Sequence, residues 1–441
     1  MNYSKKIDTK GVYDVIVVGS GSAGAAAAIA AARSGARTLL IERLPFLGGI
    51  STAVLDTFYG YYTPGNNPRK VVGGIADAVV NGLKGYNACF ERPNTFGAGT
   101  GITYHPEYLK IVWETLVEEA GCHVLLNAWV QDVVKVGKEI KALVVGTKNG
   151  LACYEAKQYI DATGDADIVF LAGYEFELAG AIEPAQTLTT TFKMVNVDIA
   201  RRKAVTKEAF HHLMQSASES GRYDLPRKEG SDHVTPVDGM TATIMTRLKS
   251  YGIIDGQTFN ATNPEFLSSA EIRGRLQALE YIRFLQDCVP GYEKAQLASF
   301  GVQIGIRETR RVRGEYWLTE ADVLSARQFD DQIGLCGAPM EDHHDGEGTK
   351  WKYLPDGKTV GIPYRTLIPR NTGNILVAGR CFSASHVAHS SVRSMAQCMA
   401  MGEAAGIAAA LCAERGISPA ALDFAVIRQE LLHYGAIIDE L

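Results

Sequence analysis

Tyr13-Asp-Val-Ile-Val-Val-Gly19-Ser-Gly21-Ser-Ala-Gly24, continuing through an alanine-rich stretch to Leu39-Leu40-Ile41-Glu42, is the segment that decides the fold. Residues 15–18 read as an apolar strand running into a glycine turn. Gly19 permits the tight bend, Gly21 lets the backbone approach a pyrophosphate, and Gly24 lets the following helix pack closely on the strand. That helix spans about residues 22–34 and is almost all alanine. Its positive N-terminal end, at Ser22 and Ala23, faces the phosphates. Gly35 stops it, and a second apolar strand ends at Glu42, where a carboxylate can accept hydrogen bonds from a ribose 2′-hydroxyl. Arg43 follows directly. Strand before, helix after and acid at the end of the next strand separate this from an ordinary glycine turn. Gly97-Ala-Gly99-Thr-Gly101 has the glycines without that setting: it follows Glu91-Arg-Pro-Asn, precedes Tyr104-His-Pro106, and reads as a loop.

The chain is 441 residues long, more than the roughly 300 that one hydrophobic core accommodates, so two or more lobes are expected. Hydrophobic residues make up 46% and charged residues 21%, with a net charge of −5. This gives no electrostatic reason to expect nucleic acid or an anionic membrane as partner. The polar start, Met1-Asn-Tyr-Ser-Lys-Lys-Ile-Asp, lacks the apolar core of a signal peptide. No uninterrupted apolar stretch of about 18 residues predicts a membrane span. Eight cysteines stand without a Cys-x-x-Cys pair. That argues against a zinc or iron–sulfur site and fits reduced thiols in a cytoplasmic protein.

Past Glu42, Leu47-Gly48-Gly49-Ile-Ser51-Thr52 offers another glycine-permitted close approach. Alternating valines at Val130, Val133, Val134 and Val136, then residues 142–145, predict a strand passage ending in the turn Lys148-Asn-Gly150. A further strand reaches Asp161-Ala162-Thr163-Gly164-Asp165. Beyond about Gly173 the sequence becomes polar and mixed, with a helix expected over residues 269–288. Nucleotide-binding character returns at Asn374-Ile-Leu-Val-Ala378, followed by Gly379-Arg380 and a long small-residue helix over residues 392–415. The simplest organisation is a discontinuous nucleotide domain, 10–178 with 356–441, and an inserted substrate lobe over 179–355.

Three separated motifs match one family. Val17-Val-Gly-Ser-Gly-Ser-Ala-Gly24 with Glu42, then Asp161-Ala-Thr-Gly-Asp-Ala-Asp167, and finally Leu376-Val-Ala-Gly-Arg380 resemble the FAD-dependent oxidoreductases of the glutathione-reductase-like superfamily. Ile304-Gly-Ile-Arg-Glu-Thr-Arg-Arg-Val-Arg-Gly-Glu-Tyr316 adds to the match, as do Ser385-His386 and Ser391-Val-Arg393. The resemblance implies an α/β, Rossmann-like FAD-binding domain of three-layer β/β/α architecture with a mixed α+β lobe inserted. It also implies cofactor contacts from Ala162, Thr163, Gly164 and Asp165, and a backbone contact from Val130 to adenine. Ser391, Val392 and Arg393 are expected at a helix N-terminus directed at the flavin, where N–H donors stabilise the charge built up on reduction.

The flavin carries the electrons, so the residues sought are those that orient substrate and move protons. His386 and His389 lie between two cofactor motifs; each is either a proton acceptor or a structural histidine. Read as a strand, residues 307–313 put Arg307, Arg311 and Arg313 on one face, where Arg307 and Arg311 could clamp a carboxylate or stabilise reduced flavin. A salt-bridged surface strand is the alternative. Glu341-Asp-His343-His344-Asp345 lacks the spacing of common metal sites, so no metal is expected and His344 is favoured as a substrate-facing residue. Tyr59, Tyr61 and Tyr62 follow the flavin-side loop, with Tyr61 the candidate for the substrate pocket.

The function expected is hydride transfer between a small organic substrate, at a C–OH or C–N centre, and FAD, with the electron acceptor and oligomeric state left open. The alternatives are a flavin monooxygenase or hydroxylase, and a flavoprotein that uses bound FAD as a non-catalytic binding module. Disulfide reductases of the superfamily carry a second glycine fingerprint and a redox cysteine pair, and this chain has neither.

Overall fold

The computed structural model describes residues 6–94, 97–344 and 348–440. Thr9–Val18 lies inside a parallel sheet ordered His123–Leu125, Thr38–Ile41, Thr9–Val18, Gly150–Asp161 and Ile375–Val377. Because side chains alternate along a strand, Val15 and Val17 enter one core and Ile16 and Val18 another. The first core holds the alanine-rich helix Ser22–Arg33. The second meets Val130, Leu143 and Val145 of an antiparallel meander, Trp129–Val136 and Glu139–Thr147, which joins the sheet through Gly150–Asp161. Helices, parallel sheet and meander form the three layers expected of a Rossmann-like α/β fold. Gly150–Asp161 is forked: its first half pairs with the meander, while Tyr159–Asp161 pairs with Ile375–Val377.

Small residues set the helix layer. A Cβ on Gly402 of the helix Met395–Arg415 would stand 2.0 Å from the Ala23 carbonyl oxygen. The two helices therefore touch backbone to backbone, which only glycine allows. Among the described residues Met395–Arg415 is the one helix long and apolar enough to cross a membrane; 89% of its apolar window is buried inside the fold.

The inserted lobe is built on an antiparallel sheet ordered Ser231–Val234, Thr241–Ile244, Phe192–Val195 and Gln296–Phe300. Helices Lys207–Glu219 and Pro264–Cys288 cover it, and Phe192, Met194, Phe210, Met214 and Phe284 form its core. Residues 310–340 do not belong to that core, although the sequence boundary at 355 included them. Val312 packs with the parallel sheet, and Leu318, Val323, Ile333 and Leu335 pack in the helix layer.

Three local expectations are corrected. The helix foreseen over about 392–415 begins at Met395, because Val392 closes a separate helix, His386–Val392, and Arg393 and Ser394 stand between the two. The helix foreseen from 269 begins at Pro264, with the Asn263 side chain accepting from Phe266 N at 2.9 Å. Within the second glycine cluster, read from sequence as a loop, residues 100 and 101 instead start the strand Thr100–Tyr104.

Candidate functional site

A cleft of about 620 Å³ runs from the glycine turn to the inserted lobe. At the turn, Gly19 has φ +89°, and a Cβ on Gly24 would stand 1.8 Å from Gly19 O, so both are confined to glycine by the fold. Gly21 differs. No atom lies within 4 Å of where its Cβ would be, so its lack of a side chain serves the space in front of it. The helix that starts there has no side-chain cap, and Ser22 Oγ is buried without a hydrogen-bond partner. Free N–H donors, an orphaned hydroxyl and open room are what a pyrophosphate requires.

Glu42 is buried at the end of its strand. Its Oε2 accepts from Ser20 N at 2.8 Å and Ser20 Oγ at 2.6 Å, and its Oε1 accepts from Leu44 N at 2.8 Å. These three bonds fix the carboxylate in the cleft wall and leave a lone pair on Oε1 for a ribose hydroxyl. Arg43 Nη2 beside it donates to Gln303 Oε1 at 2.7 Å, across to the far side of the cleft.

Asp161, fully buried, accepts from Thr163 N, Thr163 Oγ1, Ile168 N and Val169 N, which shapes the Ala162–Asp165 turn. Burial raises its pKa. Asp165 pairs with Arg380 at 2.7 Å and accepts from Thr309 Oγ1 at 2.7 Å. Burial pushes the Asp165 carboxyl up, but the Arg380 guanidinium and the Thr309 hydroxyl outweigh it and hold the pKa below the usual carboxylate range. The two distant motifs, 161–167 and 376–380, are thus bonded to each other at the cleft.

The other end of the cleft is basic. Arg307 Nη1 donates to Thr187 O and Thr189 Oγ1, both at 2.7 Å. Burial, then repulsion from Arg393 and Arg227, pushes its pKa down to about 9. Arg393 Nη2 donates to Gln186 Oε1 at 2.9 Å, and its Nε is buried without a partner. Arg227, also buried, donates to Ile244 O at 3.1 Å.

Facing these arginines is Glu341, with Oε1 2.9 Å from His343 Nε2. Burial raises the Glu341 carboxyl, but His343, Arg393 and Arg307 hold it at about 2. His343 is pushed down to about 3 by burial and by Arg307, against the pull of Glu341. Its imidazole is therefore neutral near pH 7, and Nε2–H donates to the ionised Glu341 because a carboxylate has no proton to give. Glu341 is 38% exposed and His343 only 4%, so the carboxylate meets the cleft and the imidazole backs it.

Of the residues singled out from sequence, Gly19, Gly21, Ser22, Ala23, Glu42 and Arg43 line this cleft, as do Gly49, Ser51, Val130, the Ala162–Asp165 turn, Gly379, Arg380, Arg307 and Arg393. Gly24, Gly48 and Thr52 stand behind the wall: Gly48 bridges to Gly21, and Thr52 Oγ1 donates to Leu47 O at 2.8 Å.

Others lie elsewhere, each for a visible reason. His386 is buried between Glu308, 2.8 Å from Nδ1, and Asp342, 3.1 Å from Nε2. Burial opposes its charge, yet the two carboxylates raise its pKa to about 9, making it a structural cation. His389 is fully buried, donates Nε2–H to Arg380 O at 2.7 Å and stacks on Phe382; burial drives it down to about 3. Arg311 is buried in ion pairs with Glu308 and Glu177. The strand there covers only Arg310–Val312, so alternation does not reach back to Arg307; Arg310 instead reaches Asp165 O and Asp167 and lines the cleft. Ser391 and Val392 close the helix His386–Val392 in the core, Ser391 Oγ donating to Ala338 O at 2.6 Å, and the cleft takes Arg393, Ser394 and Met395. Tyr61 belongs to the helix-layer core and Tyr59 lines the cleft. His343 lines it in place of His344, and Asp345 lies outside the described residues.

Arg227, Glu341 and His343 were not foreseen. For the last two the signal was present: at i and i+2 on extended chain they share a face, while Asp342 turns the other way to His386. Arg227 lies in turn-rich sequence with no periodicity to mark it.

A family model described as FAD dependent oxidoreductase matches residues 14–431. No curated protein sequence matches the chain. Similar solved structures include a geranylgeranyl bacteriochlorophyll reductase-like protein from Thermoplasma acidophilum, at 13% identity and TM-score 0.47, covering 96% of this chain and 84% of that one. Another is the p-nitrophenol 4-monooxygenase PnpA from Pseudomonas putida DLL-E4, at 12% identity and TM-score 0.47, covering 97% and 87%.

Proposed function

We propose that this chain, which belongs to the FAD-dependent oxidoreductase family, oxidises a small organic substrate at a C–OH or C–N centre. FAD, when bound, supplies the two-electron hydride acceptor. In this reading the Gly21 and Ser22 end of the cleft holds the pyrophosphate, Glu42 the ribose, and Val130 with the 162–165 turn the adenosine. Gly379, Arg380 and the start of the helix Met395–Arg415 flank the ring system.

Loss of hydride from a C–OH or C–NH centre requires that a proton leave the heteroatom, and the chain must take it. Glu341 is the group placed to do so. Its carboxylate is the acceptor that opens to the cleft, and the neutral His343 behind it donates Nε2–H and fixes its orientation. Arg307 and Arg393 beside it orient the substrate. The observation that carries the reading is this Glu341–His343 pair in the same cleft as the dinucleotide turn.

The test is anaerobic mixing of the FAD-loaded protein with hydroxy acids, alcohols and amines, followed by the loss of flavin absorbance. Glu341→Gln is expected to slow bleaching about 100-fold or more while keeping a full complement of FAD. Unchanged bleaching in that variant would remove the assignment. Bleaching only by NADH or NADPH, with substrate gaining an oxygen atom, would establish a hydroxylase instead.

A further inference from the structure

The basic end of the cleft has more positive charge than its own residues need. Arg307, Arg393 and Arg227 all line it, and Glu341 is the carboxylate among them. Among the described residues, neither Arg307 nor Arg393 is hydrogen-bonded or ion-paired to a carboxylate; their partners are the neutral Thr187 carbonyl, Thr189 hydroxyl and Gln186 amide. Arg227 Nε reaches Glu229 only at 4.0 Å and makes no hydrogen bond, and the buried Nε of Arg393 has no partner. Elsewhere the fold neutralises its buried arginines: Arg311 sits between Glu308 and Glu177, and Arg202 lies 2.6 Å from Asp232. Half-buried cations with no carboxylate bonded to them are costly, and a ligand anion would relieve that cost.

The glycine turn has its own donors for phosphate, in the uncapped helix N-terminus and Ser22 Oγ. The arginines are therefore left for the other occupant of the cleft. Guanidinium groups offer forked donors matched to a planar carboxylate.

We infer that the substrate is an organic acid whose carboxylate is held by Arg307 and Arg393, with Arg227 adding to the field. The inference rests on the reading of this cleft as the site of oxidation, and it narrows that reading to acids such as 2-hydroxy or 2-amino acids. The same carboxylate offsets the Arg393 and Arg307 charges that, after His343, hold the Glu341 carboxyl down, so a bound acid raises the basicity of the group that must take its proton.

The experiment uses the FAD-loaded protein without oxygen. Acetate, oxalate, malonate and succinate are titrated against acetamide, oxamide, malonamide and succinamide, with sulfate and phosphate as inorganic controls, and binding is read by calorimetry and the flavin difference spectrum. At least one organic carboxylate should bind about 10-fold to 100-fold tighter than its amide, the range of a charge-assisted hydrogen bond. Arg307→Gln and Arg393→Gln should each abolish that preference while flavin content stays full. Equal binding of acids and amides, no response to any acid, or tighter binding of sulfate and phosphate than of every carboxylate would overturn the inference. So would loss of FAD with retained acid binding in the arginine variants. Tight acid binding with no bleaching by any hydroxy or amino acid would leave the inference standing and remove the redox reading. Bleaching by neutral alcohols with indifference to carboxylates would do the reverse.

Discussion

His386→Gln tests whether the histidine between the cofactor motifs is a structural cation. In the fold it is buried between Glu308 and Asp342, and its pKa rises from the ordinary 6.5 to about 9. A group raised on folding contributes stability that is fully present below the unfolded pKa and is lost as pH climbs through the folded one. The window is therefore about pH 6.5 to 9. A rise of this size corresponds to about 3 kcal/mol, and the side chain is only 5% exposed, so solvent screens little of it. Glu308 would keep Arg311 and the Gln186 N–H, which limits the damage to the histidine's own share. Urea denaturation of FAD-saturated protein, followed by circular dichroism at about pH 6 and about pH 9.5, gives the answer. The native protein should lose stability over that interval, and the variant should be weaker by about 3 kcal/mol at the lower pH and nearly equal at the higher one. A variant that keeps the native pH slope would refute the ion-pair account, and a large loss of flavin reduction without loss of stability would return His386 to the chemistry.

Gly402→Val places a side chain where the Ala23 carbonyl already stands, and should cost about 3 kcal/mol or more in denaturant titration. Gly21→Val fills open space instead, so the FAD-free protein should keep its melting temperature while FAD binding weakens about 100-fold or more, measured by fluorescence recovery of released flavin. With an acid substrate, kcat/KM reports the free protein, in which Glu341 sits at about 2, so it should show no ionisation of that group above about pH 4. The acid limb of kcat should lie higher, because bound carboxylate offsets Arg307 and Arg393; coincident limbs would contradict the coupling.

The nucleotide half was readable from local sequence because its constraints are local. Gly19, Gly24 and Glu42 are set by a turn, a helix contact and a strand end within thirty residues, and the alternation of Val15 to Val18 states which side chains face which layer. The basic end was readable only in part, in Arg307 and Arg393 but not in Arg227 or Glu341, because its residues converge from separate segments. Arg227, Arg307, Glu341 and Arg393 are far apart in sequence and meet only through the packing of the lobe on the sheet. Histidine chemistry was also misleading. His386 and His389 are near the motifs along the chain, but burial and neighbouring charge turn one into a fixed cation and the other into a neutral prop for the Arg380 carbonyl. Spacing does not report burial, and burial decides which titratable group can exchange a proton.

The forked strand has a consequence for synthesis on the ribosome. The glycine turn and its alanine-rich helix emerge early, and the elements that complete their layers, Ile375–Val377 and Met395–Arg415, emerge more than three hundred residues after them. Until then the alanine face and the open sheet edge lack their partners, so assembly of the cofactor half waits for Arg415 to leave the ribosome, and a chaperone or early flavin capture would have most effect in that interval.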